Sequence, residues 1–394
     1  MKTKLIYAFL WVALPVLAQV PDNPRQKLLE EIEKNNTQLV ALRAQMEVDV
    51  AQNRMGNALA DPKVGFSYAW GNRNGMPDKK TVSVEQDIDW ATLTGQRRTA
   101  TRFKNERAHF TYLLQRQQLL AQADQLLIGL TFDNALCQEM QGRMERAQRL
   151  KDLYELKFAN GEANQIELNK VKLNYTAAVA NYRRATAQQQ KTRDELKKMN
   201  GNNALAFSQS EFAAVTLPAY ATLEEEALAR APQIKQAQSV VEEQTKELKI
   251  ARTEGMPTLS LGYSGEFVGE ENYNGMNVGV SIPLWGNSRR KVKMQKASVV
   301  ASQLDQQDAT LQVRATLSQQ YEQALQLLQV AAQFKAEITE NEDISLLDKA
   351  LAAGQLSLID YLNELNFYNE AHEQALETER DSQLAVSELL SIFR

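Results

Sequence analysis

Apolar positions along this chain switch between a helical period and a strand period, and they do so twice. From Pro24 to about Ala60 the period is helical, with Asn23 placed to cap and Pro24 at the first helical position. Pro62 stops the run. Residues 63–70 then alternate, with Val64, Phe66, Tyr68 and Trp70 on one face and Gly65, Ser67 and Ala69 on the other. After a polar loop over 71–80, Val82, Val84, Ile88 and Trp90 alternate with Ser83, Glu85, Asp87 and Asp89, and only Gln86 is out of step. This spacing predicts a hairpin over 62–90. A helical pattern over 96–158, a turn at Gly161 and a returning helix over 162–200 follow.

The same order then recurs. Pro257 and Tyr263 stand 195 residues after Pro62 and Tyr68, Arg289-Arg290 stand 192 after Arg97-Arg98, and Gly354 stands 193 after Gly161. A capping box, Thr222 to Glu225, is expected to open the helix of this second copy, and Pro257 to end it at Met256. Leu259, Leu261, Tyr263 and Phe267 alternate with small or polar residues. A loop through Asn272 and Gly275 leads to Val278, Val280, Ile282 and Leu284, which completes a hairpin over 257–285. A long helix over 287–352 and a return over 355–392 finish the copy. The chain therefore divides into a first repeat at 19–200, a linker at 201–221 without helical period, and a second repeat at 222–394. A repeat this long is no solenoid unit; it predicts a duplicated half-domain, mainly α with a β part.

At 1.5 Å per residue each long helix would extend roughly 90 to 100 Å, several times the width of an ordinary domain. Leu113, Leu120 and Leu127 recur every seven residues, as do Ala123, Leu130, Cys137 and Met144. In the second copy Leu317, Ala324, Ala331 and Ile338 do the same, as do Leu304, Leu311 and Leu325. Such rows mark coiled-coil packing over a long distance, and they make Cys137 a packing residue. The remaining surface is rich in Gln, Asn, Arg and Glu. A narrow apolar seam with a wide polar surface lines water rather than filling a globular core.

The first residues read as an export leader: Lys2 and Lys4, an apolar run from Leu5 to Leu17, and a cleavage site after Ala18, so that 1–18 would be removed. No later run reaches 18 apolar residues, and no cysteine follows the cleavage site to take a lipid. Four strands are too few to close a barrel, and a lone hairpin is marginal, so the strands need partners. Alternation alone fits a soluble sandwich as well as a membrane barrel with aromatic girdles. The export signal and the length of the helices between the hairpins favour lipid.

Charge is balanced, with 45 basic and 49 acidic residues spread along the chain, which argues against a nucleic-acid partner. His109 and His372 have no acidic or cysteine cluster beside them, so surface positions explain them better than a metal site. Neither a phosphate loop nor a nucleophile motif is found, and no cofactor or catalytic residue is expected. Arg97, Arg98, Arg289 and Arg290 stand where strand gives way to helix, at an end whose dipole disfavours positive charge. Either lipid phosphates or solvent could receive them. Gly161 and Gly354 stand where a left-handed helix end is wanted. After each, a box opens the return, Asn164 with Glu167 and Ser357 with Asp360. Capping alone accounts for these acids without excluding a second role.

Together these features resemble the TolC-type outer-membrane efflux proteins over nearly the whole mature sequence. Ile282-Pro283-Leu284-Trp285-Gly286 followed by Arg289 resembles that family's strand-to-helix signature. The two glycine turns, followed by Ile166-Glu167 and Ile359-Asp360, match as well. The resemblance implies a homotrimer with a twelve-stranded transmembrane barrel and a periplasmic tunnel of long antiparallel helices. It implies an outer-membrane location, with a periplasmic adaptor and an inner-membrane pump meeting the turns at Gly161 and Gly354. By the motif, Asp360 is the constricting acid, Asn363 replaces a second acid and Glu167 is the acid of the first turn. Leu356 stands where some members carry an arginine. Trp70, Trp90 and Trp285 would mark the membrane interfaces with the arginine pairs. The function implied is a passive exit duct; the alternative is a periplasmic coiled-coil adaptor or scaffold without a pore.

Overall fold

A computed structural model describes residues 24–73, 75–282, 286–341 and 344–394. The leader, Asn23 and the Pro283–Trp285 part of the signature lie outside these residues. The chain is mostly helical, with one four-stranded antiparallel sheet.

The first helical stretch is two helices, α1 (Pro24–Asn35) and α2 (Thr37–Met55), where the sequence pattern suggested one. Asn36 divides them. It is buried and extended; its Oδ1 accepts the Leu39 N–H at 3.0 Å while its Nδ2 donates to the Met199 carbonyl at 2.7 Å. A side chain serving as helix cap and cross-chain donor cannot also sit inside a helix. The second helix ends at Met55 before Gly56, well short of Pro62.

Strands β1 (Lys63–Ala69) and β2 (Lys79–Ile88) pair antiparallel. Trp90, expected on the second strand, instead opens a one-turn helix, α3 (Trp90–Leu93), because Asp89 accepts the Ala91 and Thr92 N–H groups and caps it. Then come α4 (Gln96–Ala159), 64 residues and about 95 Å long, and α5 (Gln165–Met199), which returns along it. Residues 201–219 cross the helices without regular structure. They are held by Asn134 Nδ2 donating to the Gln209 carbonyl (2.7 Å) and Gln383 Nε2 donating to that of Ala213 (2.9 Å).

In the second half α6 (Tyr220–Arg230) starts two residues before Thr222, which therefore caps nothing. The Tyr220 ring meets Tyr321 edge-on at 5.4 Å and fixes the earlier start. The helical run breaks at Pro232, which opens α7 (Pro232–Thr253); proline cannot donate to the preceding turn. Strands β3 (Thr258–Val268) and β4 (Glu271–Ser281) leave only Gly269-Glu270 between them. Asn272 and Gly275, expected in a loop, are strand residues. Gly269 takes φ +60°, which a two-residue hairpin turn needs at its first position. The last elements are α8 (Asn287–Asn341), α9 (Ile344–Ala352) and α10 (Leu358–Ser391).

Sheet order is β1-β2-β3-β4, so the halves meet by the β2–β3 pairing. Below the sheet, α4 is the hub, packing on α2, α5, α7 and α10, while α8 packs on α7 and α10. Apolar residues form separate clusters along this rod. Two lie at its middle, around Leu127 with Ile32 and Leu196, and around Leu317 with Val386 and Leu389. A third lies at the turns, around Tyr361.

Candidate functional site

The register of the sheet sorts its side chains into two unlike faces. One face carries five rows: Ile88-Leu259-Val280, Gln86-Leu261-Val278, Val64-Val84-Tyr263-Met276, Phe66-Val82-Gly265-Asn274 and Tyr68-Lys80-Phe267-Asn272. Among the described residues nothing covers its centre: Val64 is 75% exposed, Phe66 69%, Val278 68% and Met276 88%. The other face carries Lys63, Glu85, Ser83, Ser264, Thr81, Glu266 and Lys79, with ion pairs Lys63–Asp87 and Lys79–Glu266, each at 2.7 Å. One side is mainly apolar, with Gln86, Lys80, Asn272 and Asn274 among its rows, and the other is charged or polar, the pattern expected of a sheet between lipid and water. Strands β2, β3 and β4, at ten to eleven residues, are about the length a bilayer requires, while β1 has seven. Among the described residues no helix is long and apolar enough to cross a membrane.

The sequence-predicted interface residues fall at the lower and upper rims of this sheet, in different circumstances. Trp70 follows β1, 72% exposed and packed near Tyr68. The Trp90 indole donates to the Pro257 carbonyl at 2.7 Å, tying the two hairpins together. Trp285 lies outside the described residues. Arg98, Arg289 and Arg290 are exposed. Arg97 is neither solvated nor turned to lipid: its Nε lies 2.6 Å from Asp89 and its Nη2 3.4 Å from Glu254. Burial opposes its charge, but the Asp89 bond outweighs that and holds the guanidinium above its ordinary value. The same bond, with those from Thr92 and the Ala91 N–H, overcomes burial and depresses Asp89. These carboxylates offset the unfavourable dipole at the start of α4. Lys291 also pairs with Glu254.

At the opposite end the glycine turns have one geometry. Gly161 takes φ +79° and Gly354 φ +72°. In the first turn the Glu162 N–H reaches the Lys157 carbonyl (2.8 Å) and the Gly161 N–H that of Phe158 (3.0 Å). In the second, Gln355 reaches Ala350 (2.9 Å) and Gly354 reaches Leu351 (3.1 Å). Both are Schellman motifs, which need a left-handed residue and so select glycine.

The caps that follow are not equal. Asn164 accepts the Glu167 N–H and Glu167 reaches back to the Asn164 N–H, both at 2.9 Å, a complete capping box. Ser357 accepts the Asp360 N–H at 3.2 Å, but the Asp360 carboxylate receives the Ser357 hydroxyl at 2.6 Å and not the backbone. Aspartate is one carbon too short to return to the N-cap N–H. Asp360 and Asn363 are exposed on α10, and Glu167 is half-buried.

Between the turns, Leu150, Tyr154, Leu168 and Val171 pack on Leu351, Leu358, Tyr361 and Leu365. The Tyr361 hydroxyl donates to Asp348 at 2.6 Å; burial first, then this bond, pushes the phenol far above its ordinary value. Sequence reasoning missed Tyr361, although its place in the Leu358–Leu365 seam was the signal. It also missed Asp124, an acid inside an apolar heptad run. Asp124 is fully buried at mid-rod, 2.9 Å from Arg25 Nε and 2.6 Å from Arg394 Nη2, and receives the Ser387 hydroxyl. Among the described residues no group of three or more His, Cys, Asp and Glu side chains could hold a metal.

No protein-family model matches the sequence, and no curated protein matches it. Its fold has clear counterparts. A membrane protein of Pseudomonas aeruginosa superposes with a TM-score of 0.77 at 16% identity, over 94% of this chain and 90% of that one. The outer membrane protein VceC of Vibrio cholerae gives 0.76 at 12% identity over 94% and 95%. The Campylobacter jejuni CmeC outer membrane channel gives 0.70 at 17% over 94% and 85%. Along nearly its whole length, the chain folds as these membrane proteins do.

Proposed function

We propose that this protein is the outer-membrane channel of a tripartite efflux or secretion system, a passive duct from periplasm to exterior that performs no chemistry. Three chains would each contribute four strands to a twelve-stranded barrel and their long helices to a periplasmic tunnel. The two halves would be a duplicated unit, given the matching order of strand pair, long helix, Schellman turn and return. A periplasmic adaptor and an inner-membrane pump would engage the turns at Gly161 and Gly354.

The observation that carries this reading is the exposed, mainly apolar face of the sheet, centred on Val64, Phe66, Val82, Val84, Leu261, Tyr263, Met276 and Val278 and backed by a charged face. A scaffold exported to water would bury that face; a barrel wall turns it to lipid. The fold shared with outer-membrane channels supports the same conclusion. Leu356 cannot form an ion pair at the second turn, so closure would rest on the apolar cluster and the Tyr361–Asp348 bond. The exposed Asp360 carboxylates of three copies would focus a negative field in a narrow bore and favour cations. Asn363 would line the same face one turn on, and Glu167 would remain a capping residue.

The test is single-channel recording of detergent-purified protein in a planar bilayer, with its mass in solution. A stable oligomer with small, cation-preferring steps is expected. Asp360→Ala should raise conductance and weaken cation preference; an unchanged channel would leave Asp360 only its cap. A soluble, non-conducting species would return the strands to a scaffold.

A further inference from the structure

Just above the turn cluster the seam between α4, α5 and α10 changes character. At the cluster Leu150, Val171 and Leu365 close it with apolar contacts. About one turn further from the tips the same helices present Arg143 and Arg146 on α4, Asn174 and Asn181 on α5, and Asn366 and Asn369 on α10, and these line a cavity of about 420 Å³. Asn174, Ala177, Ala178 and Asn181 have the three-and-four spacing of one helix face, so α5 turns a whole stripe to the cavity. Polar groups that face one another across a seam are costly to bury unless something satisfies them.

The two arginines of this wall are served differently. Arg143 is saturated: its Nε donates to Glu139 and its Nη2 to the Asn369 carbonyl, each at 2.7 Å, and its Nη1 bonds to Glu373. Arg146, three residues on, has its Nη1 buried without an acceptor among the described residues. The Asn369 Oδ1, from α10, is buried there without a donor. A buried guanidinium N–H left unmet is costly, and so is a buried amide oxygen. Their demands are opposite, since one asks for an acceptor that can balance a positive charge and the other for an O–H or N–H.

We propose that this cavity binds a sugar acid, a polyhydroxylated carbon skeleton bearing one carboxylate. The carboxylate pairs with Arg146, whose planar fork suits two carboxylate oxygens. One hydroxyl donates to the Asn369 Oδ1, and others meet the Asn174 and Asn366 amides, because hydroxyls and amides each both donate and accept. The carbon skeleton lies on Ala147, Ala178 and Leu365. A neutral sugar leaves Arg146 without an anion, and a plain fatty acid leaves the amides unmet. The volume is that of a small-molecule site, for which roughly 300 to 1,000 Å³ is usual. Bound there, the ligand joins α4, α5 and α10 just above the turns.

The test is calorimetric titration of the detergent-purified protein with gluconate, using sorbitol and hexanoate as six-carbon controls that lack the carboxylate or the hydroxyls. Gluconate is expected to bind saturably, once per chain, and about tenfold or more tighter than either control, the effect of one hydrogen bond to a charged group. Arg146→Gln should lose about the same factor, whereas Arg149→Gln, exposed on the same helix and outside the cavity, should leave binding unchanged. If Arg146→Gln does not fold, Asn369→Ala takes its place with a loss in the same direction. No saturable binding of gluconate overturns the site and leaves the cavity to water. Sorbitol or hexanoate binding as tightly as gluconate overturns it, and so does an affinity unchanged in the cavity variant or equally reduced in Arg149→Gln. None of these readings depends on conduction, so failure of the site leaves the duct reading as it stands.

Discussion

The middle of the rod and its turn end are held by different means, and the difference bears on where such a molecule can move. At mid-rod both termini of the described chain, the 201–219 segment and four helices converge on buried polar groups: Asp124 with Arg25 and Arg394, Asp133 with Thr192, and Asn200 with Asn35 and Glu31. A polar network buried this way is bistable: it is either fully made or costly to break. The turn end has one compact apolar cluster, with the Tyr361 hydroxyl bonded to Asp348 beside it. Apolar contacts can slide without leaving a buried charge unpaired. Any opening by outside partners would therefore be absorbed at the turns while the middle stays fixed.

The comparison breaks most sharply at Asp124. Replacement by Ala leaves Arg25 and Arg394 without their shared carboxylate and should cost about 3 to 5 kcal/mol, the usual penalty for stranding a buried charge. Thermal loss of helical circular dichroism in detergent would show it. A change too small to measure would mean that water already solvates the site and that the middle is no firmer than the turns.

Tyr361→Phe sharpens the contrast from the other end. It removes the bond to Asp348 without opening a cavity, and because Asp348 is exposed and can rehydrate, the cost should be about 1 to 2 kcal/mol. Amide exchange should quicken in α9 and the first turns of α10 and remain as before around Leu127. If both regions quicken together, the rod is one cooperative unit and the distinction fails.

The two turns themselves supply a finer comparison. Asn164→Ala removes a cap whose box is complete and should cost about 1 kcal/mol. Ser357→Ala should cost less, because the bond it removes from the Asp360 N–H is longer, 3.2 Å against 2.9 Å, and the Asp360 carboxylate is exposed to water once the serine hydroxyl is gone. Equal losses would show that the Ser357–Asp360 contact matters as much to the helix as the reciprocal bond of the first turn.

What could be read from the sequence follows the strength of local signals. Alternation over β1, β2, β3 and the end of β4 from Val278 exposed the two sheet faces, since a period of two is hard to imitate, whereas the start of β4 was hidden by its Asn and Gly residues. The Schellman glycines were legible because only glycine takes that backbone cheaply. Failures came where a tertiary partner overrode a local rule: Asn36 breaks a helix in order to reach Met199, Tyr220 starts one early to meet Tyr321, and Trp90 leaves its strand because Asp89 caps. Arg97 looked like its three counterparts until Glu254, 157 residues away, was placed beside it. Asp124 and Tyr361 were hidden for the same reason, since each looks ordinary until the helices around it are known.

The smallest expected effect concerns Asp133, and its sign distinguishes a working polar network from a costly one. Burial raises its carboxyl above the ordinary value, while the bond from Thr192 (2.6 Å) and the nearby Arg380 act against that rise. The folded chain thus binds this proton more tightly than the unfolded chain. Between the unfolded value and the higher folded one, stability from this group falls as pH rises; above the folded value the loss is complete and constant. Asp133→Asn has no charge to bury and keeps an oxygen to accept the Thr192 hydroxyl. It should therefore melt slightly higher than the parent at neutral pH, and the gap should shrink as pH falls toward 4. Glu243, raised by burial beside α4, adds a slope of the same sign, so the parent for this test should carry Glu243→Gln. A melting temperature that drops on Asp133→Asn would mean that the ionised carboxylate stabilises the middle of the rod through Arg380, and Asp133 would then belong with Asp124 as a fixed anchor rather than a tolerated cost.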